Sequence, residues 1–133
     1  MRILVVDDEP TYKLLLREFL LGEGHEVFDA ADGKEALEKF PRVRPEVVIS
    51  DVYMPVMDGI KLHRTLRAMP GCEHLPFLFV SAFDDEHTRS AVRDPRYEGF
   101  LRKGKPVETL VDWIRYLSSP EEQKAKLVPP AGI

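Results

Sequence analysis

Five short, nearly unbroken apolar runs, each followed by a stretch of helical spacing, leave this chain few ways to fold. The runs are Ile3–Val6, Val27-Phe28, Val47–Ile49, Phe77–Val80 and Phe100-Leu101. A strand wetted on one side alternates apolar and polar residues. Continuous runs need cover on both faces, as in a parallel sheet with helices above and below it. Between the runs, Tyr12, Leu15, Leu16, Phe19 and Leu20 form a helical stripe behind Pro10 and ahead of Gly22 and Gly24. Ala36, Leu37 and Phe40 mark a second helix, and Ile60, Leu62, Leu66 and Met69 a third. The polar stretch Asp85–Arg93 is expected to be a fourth, and Val107, Leu110, Val111, Ile114 and Leu117 a fifth, started by Pro106. Residues 1–118 therefore predict an α/β domain of five strands and five helices, with Phe77–Val80 the most buried strand. Residues 119–133 are rich in Ser, Pro and Glu and are expected to be a C-terminal tail or the start of a linker.

In an open parallel sheet, ligands bind beyond the carboxyl ends of the strands. Those ends carry Asp7-Asp8-Glu9, Asp51, Ser81 and Lys103. One acid at a strand end is commonly a helix cap. Asp7, Asp8 and Asp51 together would repel one another without a cation, and a hard oxygen-seeking ion such as Mg²⁺ suits three carboxylates. The net charge of −4 argues against a broad nucleic-acid surface. A single cysteine, Cys72, excludes an internal disulfide or a Cys-rich zinc site and suits a reducing compartment, so a cytoplasmic protein is expected. No apolar run approaches the roughly 20 residues of a membrane span, and the early acids are unlike a signal peptide.

Asp7-Asp8-Glu9-Pro10, Asp51-Val52-Tyr53-Met54-Pro55-Val56-Met57-Asp58-Gly59, Ser81-Ala82 and Phe100-Leu101-Arg102-Lys103 resemble the receiver domain of two-component response regulators. The relative positions of Asp51, Ser81 and Phe100 match that family's usual spacing. The resemblance covers residues 1 to about 118 and implies a flavodoxin-like doubly wound sheet of order 2-1-3-4-5. It implies that Asp51 takes a phosphoryl group from a sensor histidine kinase or phosphotransfer protein. Asp7, Asp8, Asp51 and the backbone carbonyl of Tyr53 would hold Mg²⁺. Lys103 and Ser81 would meet phosphoryl oxygens, and Phe100 would reposition when Ser81 moves, switching the binding of a downstream protein or effector domain. Such a module catalyses its own phosphorylation and slow dephosphorylation without being a turnover enzyme. Tyr53 and Phe83, two residues after Asp51 and Ser81, occupy positions that flank the hydrolytic water in this family. Their bulk implies a long-lived phospho-form.

The family pattern places Lys before Pro, whereas here the segment reads Lys103-Gly104-Lys105-Pro106. Lys103 keeps its distance from Phe100 and is expected to be the active lysine. A non-proline residue at 104 also argues against a cis bond there. Asp58-Gly59 is read as a turn, Met54, Met57 and Met69 as packing residues, Glu9 as a helix-start or outer acid, and His25, His63, His74 and His87 as surface or helix residues. Three other classes of protein would carry different residues at these positions. A non-phosphorylated pseudo-receiver would have lost Asp51, the acid pair or the lysine. An aspartate-nucleophile phosphatase would carry Asp-x-Asp after the first strand. A flavin-binding protein would carry a hydroxyl- and glycine-rich loop there.

Overall fold

The computed structural model describes residues 1–130. Among them, β1 (Arg2–Val6), α1 (Pro10–Gly22), β2 (Glu26–Ala30), α2 (Gly33–Val43), β3 (Val47–Asp51), α3 (Gly59–Arg67), β4 (Phe77–Ser81), α4 (Glu86–Arg89), β5 (Glu98–Arg102), α5 (Thr109–Ser118) and α6 (Glu121–Lys124) follow in turn. The strands pair in parallel in the order β2-β1-β3-β4-β5, the flavodoxin-like arrangement expected from sequence.

Alternation along each strand divides the core in two. Ile3, Val5, Val47, Ile49, Leu78, Val80 and Leu101 face α1 and α5, meeting Leu16, Leu20, Leu110 and Trp113. Leu4, Val6, Val48, Phe77, Phe79 and Phe100 face the other way, meeting Ala36, Leu62, Leu66 and Ala91. Both faces of the sheet are thus covered, the physical reason for the unbroken apolar runs. Every residue of β3 and β4 is buried.

Several expectations are corrected. The helix expected over Asp85–Arg93 is a single turn, Glu86–Arg89. The Glu98 carboxylate captures the N–H groups of Arg93 (2.8 Å) and Asp94 (3.0 Å), which a longer helix would need, and Pro95 disfavours helical backbone at Asp94. Leu15 belongs to the sequence stripe of α1 but is 48% exposed, because α1 turns a narrower arc toward the sheet. α5 begins at Thr109; Pro106 heads a tighter turn before it, in which Thr109 N–H donates to Pro106 O and Leu110 N–H to Val107 O. Residues 119–130 carry the one-turn α6. His63, on α3, is almost fully buried, its Nε2 2.8 Å from Glu98 Oε2 and its Nδ1 against the Arg64 guanidinium. Glu98 is held down to about 2: burial alone would raise it, but His63 and two backbone N–H groups outweigh that.

Candidate functional site

The same alternation that builds the core assembles the site. Asp7 continues the line of Val5, Asp51 that of Ile49, and Lys103 that of Leu101, all on the face toward α1 and α5. The ladders carry on far enough to hold them there: Asp7 N–H donates to Ala30 O (3.0 Å) and Lys103 N–H to Ser81 O (2.7 Å). Lys103 Nζ then lies 2.8 Å from Asp7 Oδ2, 3.1 Å from Asp51 Oδ2 and 3.3 Å from Glu9 Oε2. One carboxylate oxygen each from Asp7, Asp8 and Asp51 lies within 4.8 Å of the others, with Asp8 exposed and the other two buried. Three hard oxygen donors at that separation suit a small divalent cation with several waters.

Charge crowding is visible in the protonation equilibria. Burial, then the charge of Asp7, pushes the Asp51 carboxyl up to about 6, and Lys103 only partly offsets them. Burial would lower the Lys103 pKa, but the carboxylates of Asp7 and Asp51 outweigh it and raise it. Tyr12, assigned from sequence only to the stripe of α1, also belongs here. Its ring centroid is 4.6 Å from Lys103 Nζ, and burial pushes its hydroxyl up to about 12. Helical spacing shows which face Tyr12 is on, not that a strand-end lysine comes over it.

Ser81 and Phe100 stand on the opposite face, in line with Phe79. Ser81 is buried, and its Oγ accepts the Phe83 N–H at 3.0 Å. Phe100 is buried alongside Phe79 and Ala91. Tyr53, in the loop after β3, donates its hydroxyl to Asp85 Oδ2 at 2.7 Å. Its ring meets Phe83 edge-on at 5.5 Å and His87 at 5.6 Å. Because Asp85 also caps α4 by accepting the Thr88 N–H, this contact ties the two loops over the site together. Sequence reading did not foresee the Tyr53–Asp85 contact.

Asp58 and Gly59 do more than turn the chain. Asp58 caps α3 by accepting the Lys61 N–H at 2.7 Å. A Cβ on Gly59 would lie 1.9 Å from the backbone oxygen of Asp51. The β3–α3 loop is strained at Val56, a β-branched residue with φ +68°, where Met57 N–H reaches back to Pro55 O at 2.7 Å. Gly104, φ +99°, turns the chain after Lys103, and Lys105 beyond it is exposed. No peptide bond among the described residues is cis.

Residues 3–115 match the family profile of the response regulator receiver domain. The chain is 41% identical over 110 residues to an uncharacterised 14.6 kDa protein of Leptolyngbya boryana, covering 83% of this chain and 82% of that one. It is 39% identical over 117 residues to the response regulator MprA of Mycobacterium leprae, covering 88% of this chain but 50% of that protein. The chain thus spans about half the length of its MprA relatives. Among solved structures, Vibrio cholerae chemotaxis protein CheY4 superposes with a TM-score of 0.79 at 31% identity, covering 86% of this chain and 96% of that one. Thermotoga maritima TrrA, in complex with Mg²⁺-BeF, superposes with a TM-score of 0.74 at 29% identity, covering 87% and 97%. This chain belongs to the response regulator receiver domain family, the signalling module of two-component systems. No helix among the described residues is long and apolar enough to cross a membrane.

Proposed function

We propose that this chain accepts a phosphoryl group on Asp51 from a sensor histidine kinase or phosphotransfer protein, in the cytoplasm, and passes the signal to a downstream protein or effector domain. The observation that carries this reading is Asp51 itself: a buried carboxylate held up to about 6, beside a lysine at 3.1 Å and grouped with two further carboxylates. A carboxylate oxygen of Asp51 attacks phosphorus in line, and the bond to the donor's nitrogen breaks as the acyl phosphate forms. Asp7, Asp8, Asp51 and the Tyr53 carbonyl would hold Mg²⁺, which supplies charge neutralisation for the transferring group. Lys103, already pointing its ammonium into the acidic group, is in reach of a phosphoryl oxygen once Asp51 is esterified. Ser81 would give up the Phe83 N–H and donate its hydroxyl to another phosphoryl oxygen. Phe100, on the same face as Ser81, would then follow into the space vacated, a two-state response to a local charge event. Residues 1–118 form this module, and 119–133 a C-terminal tail or the start of a linker.

Incubation with acetyl phosphate and Mg²⁺ should add one phosphoryl group, seen by intact-mass spectrometry, and Asp51→Asn should abolish it. Undiminished labelling of the Asn variant would refute the assignment.

A further inference from the structure

We propose that residues 119–130 are a strap that docks in cis on the sheet edge between α4, β5 and α5 and opposes the movement of Phe100; the second half rests on the switch role proposed above. Lys124 is the anchor. Lysines are almost never buried without partners, and a lysine in a solvated tail keeps its ammonium in water. Lys124 is instead only 6% exposed, while the rest of α6 is exposed. Its ammonium donates to the carbonyl oxygen of Arg96 and sits 4.2 Å from the centroid of the Tyr97 ring, with the Tyr116 ring at 6.0 Å. The Tyr97 hydroxyl donates to Glu121, which also lies 3.5 Å from Arg96. His74 stacks on the same tyrosine at 4.3 Å. An aromatic face and a carbonyl oxygen are partners that let an ammonium leave water.

From this anchor the strap runs along the molecule. Leu127 and Val128, both still exposed, line one cleft with Thr109, Asp112 and Tyr116, which are three and four residues apart and so share one face of α5. Pro129 and Pro130 sit at a cleft of about 300 Å³ whose other walls include Val92, Phe100 and Trp113. β5 is an edge strand, and a proline segment covers such an edge without prolonging the sheet, since it has no N–H to give. Trp113 lines the same cleft; its buried indole N–H has no acceptor among the described residues, those of the strap included.

Phe100 links this edge to the phosphorylation site. Its ring is shared between the interior, with Phe79 and Ala91, and the cleft under the prolines. A strap that fits the cleft with Phe100 inward favours that state. By reciprocity, phosphorylation must weaken the strap by the factor by which the strap weakens phosphorylation.

The full chain, Lys124→Ala and Pro129→Ser/Pro130→Ser would each be treated with trypsin, following cleavage after Lys126 by mass. The emission of Trp113, the sole tryptophan, would be read alongside. In both variants cleavage after Lys126 should be at least tenfold faster than in the parent and the emission should shift to the red, with the urea midpoint little changed. Phosphorylating the parent should accelerate the same cleavage several-fold, and Lys124→Ala should reach a higher labelled fraction at limiting acetyl phosphate. Equal cleavage in parent and variants overturns the docking. Unchanged cleavage of parent molecules whose mass shows the phosphoryl group overturns the coupling while leaving the Asp51 assignment standing. Failure of the parent to take label overturns that assignment and the coupling with it, and the comparison of unlabelled variants still decides the docking.

Discussion

Gly59→Ala places one methyl group where the structure has least room for it. The new Cβ would meet the Asp51 backbone oxygen at 1.9 Å, with the Asp51 carbonyl carbon and Ser50 Oγ at 3.0 Å. Carbon and oxygen that are not bonded do not approach within about 3 Å, so the gap must open by roughly 1 Å. Neither side is a flexible tip. Asp51 O accepts the Ser50 hydroxyl at 2.9 Å, and Gly59 N–H is held by Val52 O at 2.9 Å. Either the start of α3 or the end of β3 must shift. Overpacking costs typically 1–3 kcal/mol, and a backbone obstacle puts this case near about 3. With a urea slope of about 2 kcal/mol per molar, the midpoint should fall by about 1.5 M. If β3 yields, the Asp51 carboxylate moves by a similar distance, and a misplacement of about 1 Å can slow a positioned reaction on the order of 100-fold. Urea unfolding and the rate of labelling by acetyl phosphate read the two effects. Gly22→Ala, at the end of α1 with nothing within 4 Å of its Cβ, is the control and should be neutral or stabilising by about 0.5 kcal/mol. A Gly59→Ala protein with the parent's midpoint and labelling rate would refute the packing argument.

Asp51 also sets a pH dependence. Its carboxyl ionises near 3.8 in an unfolded chain and about 6 in the fold, so the folded form holds the extra proton between those values and loses relative stability as pH rises through 6. Asp51→Asn escapes this, and its stability advantage should grow from about 1 kcal/mol at pH 4.5 to about 3 kcal/mol at pH 7.5 in urea unfolding; a gap that shrinks with pH would contradict the burial argument. Lys103→Ala should break the link between labelling and any phosphorylation-dependent change in Trp113 emission, whereas Lys105→Ala should behave like the parent; the reverse ranking would show that the wrong lysine was chosen. Tyr53→Asn/Phe83→Glu should remove the aromatic contact at 5.5 Å and shorten the life of the phospho-form at least several-fold, measured as loss of the mass increment after the donor is removed. An unchanged lifetime would show that these rings do not shield the acyl phosphate.

Much of this protein is legible in its sequence because its determinants are local or periodic. Runs such as Val47–Ile49 and Phe77–Val80 declare strands covered on both faces, and alternation alone puts Asp7, Asp51 and Lys103 on one side of the sheet once the strands lie parallel. Helix length was decided elsewhere. Whether α4 continued past Arg89 depended on the Glu98 carboxylate arriving to take the Arg93 and Asp94 N–H groups, a contact with a later strand that no local window contains. Tyr12 over Lys103 and Tyr53 on Asp85 are likewise meetings between side chains whose separation in the chain carries no periodic signal. The same holds for Lys124, which composition assigns to a solvated tail and which only the Tyr97 ring and the Arg96 carbonyl draw out of water. Apolar period and turn residues determine which elements form and which face they bury. How far each element runs, and which charges meet, is decided by long-range contacts that exist only once the sheet has brought distant strand ends within a few ångströms.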